Sequence, residues 1–350
     1  MDVKNLVDVY SDYLIAVSGL STATGLSAML NNEISHDKIT RMLSSGIIDS
    51  IFLWKSVKAT CHEISSEDGL LIIDDSIEEK KYTDKSELMC WHYDHSQGKT
   101  VKGVNFMTAL YHNYDMSVPI GVEFVKKTKP FVDRKGNLIY KSERNKNEMY
   151  RDLLRHADRN MDFKYVLNDA WFANAANMNF IVHEIKRHFI MGMKENRLVA
   201  LSKELQQQGK YISIKSLELE GRTVSVYLKG LDFPVLVCKQ VFKNGDGSTG
   251  ELYLVTSDLN LMYEQITTIY HKRWKVEQYH QSIKSNTAFS KSPTKTPTTQ
   301  ISHFIVSILA FVKLELLQLR KGKSHHAIKN LILLKATKTA YDEVLKLSTP

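Results

Sequence analysis

Four polar side chains of different chemistry stand at short intervals in one stretch, "IYHKRWKVEQYHQSIKSN". They are Tyr270, Arg273, Glu277 and Lys284, and the positions between them are typical of a helix. On a helix that turns about 100° per residue, all four fall within an arc of about 60° and would face one target together. A phosphate backbone with a metal ion would satisfy this set, because Arg and Lys contact phosphate, Tyr donates a hydrogen bond and Glu ligates the cation. The alternative is a solvated helix face with Arg273 and Glu277 as an ion pair.

Two short apolar strands end in aspartates. "LLIIDDS" ends in Asp74 and Asp75, and "YVLNDAWF" carries Asp169 at the end of its strand. Hard divalent cations take several oxygen ligands, and three carboxylates from separate elements can hold two such ions beside a phosphate and a water. Each aspartate alone is weak evidence, because Asp often ends strands in turns. Together with Glu277, the aspartates predict a metal site.

Two other stretches offer weaker candidates. The loop "HYDHSQGKTVKG" contains His92, His95, Lys99 and Lys102. We interpret it as an exposed, DNA-facing turn or a plain hairpin, because three carboxylates are a better site for magnesium than a His-rich loop. Arg197, just past a predicted strand, is a candidate backbone contact to DNA, with a solvated turn as the alternative.

The elements that must position these residues change character along the chain. Residues 1–65 are predicted to form short helices, of which "SHDKITRMLSS", with Ser35 as its N-cap, is either the recognition helix of a helix-turn-helix or part of a helical subdomain that packs on the core. Residues 66–204 follow the order β-β-β-α-β-α-β, beginning with an antiparallel meander, which predicts an α/β fold with a mixed sheet and helices on both faces.

The second half of the chain has three segments. Residues 205–257 are β-rich and are predicted to form an all-β insertion, with "KNGDGSTG" as a hairpin turn. Residues 258–290 are predicted to form one long helix, and residues 291–350 a helical tail. The apolar helix of this tail, from Phe304 to Leu317, is expected to pack on the catalytic domain or on a second subunit.

Composition adds limited information on the setting. A formal charge of +8 and a pI near 9.1 suit a polyanionic partner, although many other proteins share them. Cys61, Cys90 and Cys238 are far apart and fit neither a disulfide framework nor a zinc site, so a reducing cytoplasm is expected. The N-terminus does not resemble a signal peptide, and the apolar run Phe304 to Val312 is too short to cross a bilayer. We therefore expect no membrane association.

Taken together, these motifs resemble the DDE transposases of the insertion-sequence-four family. The family's Y-R-E-K signature, with Trp after the Arg, is matched by Tyr270, Arg273, Trp274, Glu277 and Lys284. "IIDDS" looks like the first catalytic motif, an Asp followed one residue later by Ser or Thr. "VLNDAWF" looks like the second, and "WHYDHSQGKTVKGVNFMTALY" like the stretch between them. The similarity covers about residues 69 to 290.

The resemblance implies an RNase H-like fold with Asp74, Asp169 and Glu277 as the metal-binding triad and Asp75 as the reserve for the first acid. It implies that Tyr270, Arg273 and Lys284 hold phosphates, while Trp274 either contacts DNA or anchors its helix in the core. The implied protein is a transposase that uses Mg²⁺ or Mn²⁺, two ions together, on double-stranded DNA. It would act as a homodimer in the synaptic complex, in the cytoplasm and associated with the nucleoid.

Two other functions remain open at this stage. An RNase H-like nuclease that cleaves without joining needs the same acids, and a domesticated DNA-binding protein would have lost catalysis. The phosphate-contacting helix favours transposition over the first, and the intact acids argue against the second.

Overall fold

The computed structural model describes residues 2–94, 97–243 and 245–348. It begins with the four helices α1 (Val3–Ala16), α2 (Ala23–Met29), α3 (His36–Ser44) and α4 (Ser50–Ile64). The Ser35 hydroxyl caps α3 by accepting a hydrogen bond from the backbone N–H of Lys38, as the sequence predicts. The helices expected in this region are therefore present.

The central part of the chain supplies most of the strands. Its elements are β1 (Leu70–Glu79), β2 (Cys90–Asp94), β3 (Lys99–Asn113), β4 (Met116–Phe124), β5 (Lys129–Val132), β6 (Leu138–Lys141), α5 (Lys146–Asn160), β7 (Tyr165–Asn168), α6 (Ala175–Asn179) with a π-helical turn (Phe180–Ile185), and β8 (His188–Met193). The sequence offered β2 only within an alternative, the plain hairpin of "HYDHSQGKTVKG", and did not predict the two-stranded sheet of β5 and β6.

These strands form a meander that continues into parallel pairing. β1, β3 and β4 are antiparallel neighbours, whereas β7 runs parallel to β1 and β8 parallel to β7. The arrangement is consistent with an RNase H-like core, and the predicted mixed sheet flanked by helices is confirmed.

The β-rich segment extends this sheet. It contains β9 (Leu198–Ala200), α7 (Lys203–Gln207), β10 (Ile212–Ser213), β11 (Val224–Leu228), β12 (Val235–Lys243) and β13 (Thr249–Thr256). β13 pairs antiparallel with β8, and the others continue outward in the order β12, β11, β9, β10. The described residues therefore place the predicted strands in the main sheet, and a separate inserted subdomain is not confirmed.

The predicted single helix near the triad is interrupted. α8 (Tyr263–His271) and α9 (Trp274–Asn286) are separated by a tight turn, in which the Arg273 N–H donates to the Tyr270 carbonyl at 2.9 Å. The Val276 N–H donates to the Arg273 carbonyl at 3.1 Å in the same three-residue pattern. The prediction of one continuous helix is wrong, and so is the simple helical wheel drawn on it.

Two long helices end the chain, α10 (Pro297–Lys321) and α11 (His325–Ser348). α10 packs against α1, α3, α4, β4 and α9, so its apolar residues lie within this subunit. By length and composition alone α10 could cross a membrane, but 72% of its apolar window is buried, as in the core helix of a soluble protein. From residue 334 onward, the described part of α11 is exposed.

Candidate active site

Asp74 and Asp169 lie at the same level on neighbouring parallel strands. The last paired residues of β1 and β7 are Ile72 and Leu167, and each aspartate follows two residues later. Neighbouring strands are about 4.8 Å apart, so this register brings the two carboxylates to one edge of the sheet. The predicted convergence of the two strand ends is observed.

Asp74 and Asp75 point to opposite faces of β1, because side chains alternate along a strand. Asp74 pairs with Thr108 across the sheet, and the Thr108 hydroxyl lies 3.4 Å from the Tyr279 hydroxyl of α9. A carboxylate oxygen of Asp75 instead lies 2.5 Å from the Lys146 ammonium at the start of α5. Asp74 therefore shares its face with α9, and Asp75 faces α5.

Burial and neighbouring charges shift the pKa values of the two aspartates at this edge. Burial, followed by the charges of Asp169 and Asp75, raises the pKa of Asp74 to about 8, although Arg273 opposes the shift. Burial also raises the pKa of Asp169, against the hydrogen bond that its side chain accepts from the Trp171 N–H at 3.0 Å. Holding two carboxylates together in a buried place is unfavourable in free energy when both are charged, and a bound cation would reduce that penalty.

Arg273 provides positive charge between two of the predicted ligands. Its guanidinium lies 3.8 Å from an Asp74 oxygen and 2.5 Å from a Glu277 oxygen. The side chain is only 14% exposed, and its buried Nε has no hydrogen-bond partner among the described residues. The tight turn between α8 and α9 lets Arg273 point at Asp74 while Glu277, one turn later, stays on the same face.

Tyr270 is enclosed rather than open to solvent. It is 7% exposed, and its hydroxyl donates to the Asn168 carbonyl at 3.4 Å, at the end of β7. Gly192 of β8 leaves the space for it, because a Cβ at that position would lie 2.9 Å from the Tyr270 oxygen. Tyr270 therefore supports the strand that carries Asp169, and its predicted phosphate contact stays a prediction.

Lys284 connects α9 to the strand that carries the aspartates. Its ammonium donates to the Ser76 hydroxyl at 3.2 Å and to the Ile77 carbonyl at 3.0 Å, and lies 3.7 Å from a Glu78 oxygen. These contacts fix α9 over the same face of β1 as Asp74. Its phosphate contact is likewise a prediction. The ammonium lies near the edge of the sheet that carries Asp74 and Asp169, which we call the acidic edge.

Two tryptophans border the site. Trp274 is 54% exposed, so the interpretation of this residue as a core anchor is wrong; it projects from the start of α9 with its ring 5.9 Å from the Arg273 guanidinium. Trp171 follows Asp169 by two residues, and the Lys146 ammonium lies 5.6 Å from its ring. Sequence reasoning missed Trp171 and Lys146. The proximity of Trp171 to Asp169 in "NDAWF" was the available signal, whereas nothing local marked Lys146.

The weaker sequence candidates take other places. The stretch "HYDHSQGKTVKG" includes the end of β2 and the start of β3, which pair antiparallel as in a plain hairpin, and His95 lies outside the described residues. His92 is buried in β2, and burial with the charges of Lys127 and Lys146 lowers its pKa to about 3. Arg197 donates to the Ala173 carbonyl at 3.0 Å, which ties down the segment after β7.

The donor chemistry of this edge fits a divalent metal ion. Among the described residues, no group of three or more His, Cys, Asp or Glu side chains is arranged as a formed metal site. Asp74 and Glu277 instead share the guanidinium of Arg273, and burial, followed by the charges of Asp169 and Asp75, raises the pKa of Asp74. Carboxylate oxygens are the ligands that Mg²⁺ and Mn²⁺ prefer, so the acids present suit such an ion.

Comparison with known families agrees with this geometry. The model of the family described as DDE superfamily endonuclease matches residues 4–210, and that described as transposase DDE domain matches residues 137–312. The chain belongs to the DDE superfamily of endonucleases and transposases. A search among curated proteins gave no match. The family matches support a transposase-type nuclease, and they leave the narrower insertion-sequence-four assignment as a prediction.

Proposed function

We propose that this protein is a DNA transposase, which cleaves a strand at the ends of an insertion sequence and joins the end to target DNA. The observation that carries the proposal is the level placement of Asp74 and Asp169 on parallel strands, with Arg273 and Glu277 held over them by α9. We also propose that its Y-R-E-K residues mark a member of the insertion-sequence-four family.

In this proposal the catalytic triad is Asp74, Asp169 and Glu277. These carboxylates would hold Mg²⁺ or Mn²⁺, two ions together, which supply charge for the attacking and leaving oxygens of an in-line displacement. Asp74 is the first acid rather than Asp75, because Asp74 shares a face with Arg273 and α9 while Asp75 is paired with Lys146.

Several residues would bind the DNA backbone. Arg273 holds its guanidinium between Asp74 and Glu277, and a charge-assisted hydrogen bond to a phosphate oxygen would suit this cation. Lys284 adds a second cation beside β1, and exposed Trp274 offers a ring at the rim. Tyr270 lies in the same cluster, and its hydroxyl donates to the Asn168 carbonyl, so that it supports β7.

The partner is double-stranded DNA, and we propose a homodimer in the synaptic complex, working in the cytoplasm on nucleoid DNA. The exposed half of α11 carries Leu331, Leu334 and Tyr341 on one helical face. Such a face suits a helix of a second copy. Analytical ultracentrifugation tests this point, since Leu334→Asp would shift a dimer toward monomer and leave a monomer unchanged.

The decisive test uses purified protein, Mg²⁺ and a labelled duplex bearing the ends that flank its gene. Wild type is expected to nick the ends and join them to a second duplex, and Glu277→Gln to give neither product. Glu264→Gln on the exposed start of α8 is the matched control and should behave as wild type. Equal products from wild type and Glu277→Gln would reject the triad.

The same assay separates the two alternatives. Nicks without joined products would indicate an RNase H-like nuclease that lacks strand transfer. Binding of the end duplex without any cleavage by wild type would indicate a DNA-binding protein that has lost catalysis.

A further inference from the structure

An open cleft of about 790 Å³ lies between the edge strand β2 and the hairpin of β5 and β6. Its walls include Lys85, Trp91, Lys127, Leu138, Ile139 and Tyr140, and we call these six residues the stacking cleft. The volume falls within the roughly 300–1,000 Å³ of pockets that enclose small organic ligands.

The walls of the stacking cleft carry large flat or apolar side chains in contact with solvent. Trp91 is 48% exposed, Tyr140 is 53% exposed and Leu138 is more exposed still. β5 and β6 form a separate two-stranded sheet, a unit that is marginally stable by itself in water. These rings are therefore displayed without serving the hydrophobic core of the described chain.

The cleft adjoins a basic segment, and its own lining holds one acid, Glu87, whose carboxylate lies 3.7 Å from the Lys126 ammonium. Residues 126–141 contain six Lys or Arg and one Asp, a net charge of +5 in a chain whose total is +8. The single acid of this segment, Asp133, accepts hydrogen bonds from the Lys135 and Asn137 N–H groups in the hairpin turn. The Lys85 ammonium lies 5.9 Å from the Trp91 ring, and Lys127 donates to the Trp91 carbonyl. Cations therefore flank the exposed rings.

Aromatic faces lined by cations match one class of partner best. Single-stranded nucleic acid offers unpaired bases that stack on aromatic rings and phosphates that meet Lys and Arg. A duplex hides the faces of its bases within its own stack. A second copy that docked through the same segment would bring another region of charge +5 to this surface, which disfavours a symmetric contact.

The cleft lies near the strand that carries the predicted catalytic acids. β2, which forms one wall of the cleft, pairs with β3, and β3 pairs with β1. The cleft is therefore two strands away from the strand of Asp74.

We propose that the stacking cleft binds unpaired bases of single-stranded DNA, with Trp91 and Tyr140 as the stacking rings. The inference rests on the proposed function only in taking DNA as the substrate. It gives that function a place to hold a strand freed beside the cleavage site.

The test measures binding alone, with the full chain in EDTA so that cleavage does not interfere. Fluorescence anisotropy compares a labelled single strand of about 12 nucleotides with a duplex of the same length. Trp91→Ala and Tyr140→Ala are each expected to weaken single-strand binding by roughly fivefold to a hundredfold. Duplex binding should change by less than about twofold, because a duplex has no free bases to stack.

Matched variants make the outcome specific. Trp91→Phe should recover most of the single-strand affinity, since it restores an aromatic face. Tyr114→Ala removes a tyrosine that is even more exposed, just past the far end of β3, and should leave both affinities unchanged. Thermal melts of every variant identify any loss of fold, which exposed positions should not cause.

Three results would overturn the proposal. Equal loss of single-strand and duplex binding in Trp91→Ala would make the region a general charged surface. Competition by polyaspartate as strong as that by the single strand, with no effect of Trp91→Ala, would point to an acidic protein partner. Failure of wild type to bind either DNA would reject the proposed function as well, whereas the first two results would leave it standing.

Discussion

At the acidic edge formed by β1 and β7, the charged side chains are enclosed and contact one another. In the stacking cleft, aromatic rings and cations are exposed to solvent. Asp74 is 18% exposed and Arg273 is 14% exposed, and each has an oppositely charged neighbour. In the stacking cleft, Trp91 and Tyr140 are about half exposed and lie among cations. Substitutions at the edge should therefore alter both chemistry and stability, and those in the cleft should alter binding alone.

The largest expected effect separates the two adjacent aspartates of β1. Asp74→Asn should reduce Mg²⁺-dependent cleavage roughly a thousandfold, about 4 kcal/mol of transition-state stabilisation, because it removes a metal ligand. Asp75→Asn should cost less than about tenfold, since Asp75 faces Lys146 on the other side of the sheet. Single-turnover cleavage of an end duplex measures both.

Two results would contradict this assignment. If Asp75→Asn lost more activity than Asp74→Asn, Asp75 would be the first catalytic acid. If neither variant lost activity while both remained folded, the acidic edge would not be the site of cleavage.

The sequence predicted this edge well because its information is local. Apolar runs ending in Asp mark strand ends, and parallel register then brings Asp74 and Asp169 level. Lys146 could not be predicted, because it reaches Asp75 across 71 positions of sequence through the packing of α5. The break before α9 could not be predicted either, because no helix-breaking residue stands there.

The next effect tests whether Tyr270 acts by supporting β7. Gly192→Ala would place a Cβ 2.9 Å from the Tyr270 oxygen and 3.2 Å from the Ala170 nitrogen. We expect it to lower the free energy of unfolding by about 1–3 kcal/mol, because the packed neighbours must move. Adding Tyr270→Phe removes the oxygen and should recover part of the lost stability. Urea unfolding of wild type, the two single variants and the double variant measures this coupling.

A strictly additive cycle would show that Gly192 and Tyr270 do not interact. A loss of cleavage in Tyr270→Phe with unchanged stability would instead favour the direct phosphate contact that the sequence predicts.

The third effect concerns pH. The Asp74 carboxyl has a pKa of about 8 in the folded protein and an ordinary pKa near 4 when unfolded. Between these values the folded state binds more protons, so its stability should fall as pH rises from about 4 to 8. Each pKa unit corresponds to about 1.4 kcal/mol, and Asp74→Asn should reduce the slope. Unfolding in EDTA across this range measures the change.

Added Mg²⁺ sharpens the same experiment. Because the ion competes with the proton for carboxylate oxygens, it should raise the melting temperature more at pH 8 than at pH 6. An equal slope in wild type and Asp74→Asn, or a shift by Mg²⁺ that does not vary with pH, would mean that Asp74 does not titrate as described.

The exposed hairpin illustrates the opposite limit of sequence reasoning. "KPFVDRKGNLIYK" contains alternating apolar residues around a turn with Gly136 at a φ of 81°, yet it was not predicted as β5 and β6. Its strands do not join the main sheet, so the element order of an α/β core gave no reason to expect it. The cleft beside it depends on β2, which is far away in sequence.

The smallest expected effect is on salt dependence at this hairpin. Lys135→Ala removes one exposed cation from the basic region, so duplex affinity should fall by about twofold to threefold and the slope of log affinity against log salt by about one. Lys58→Ala on the exposed face of α4 should change neither, and both variants should melt as wild type. If the slope for Lys135→Ala were unchanged, the tip of the hairpin would not contact the phosphates of a duplex. The stacking cleft would then bind single strands without a contribution from Lys135.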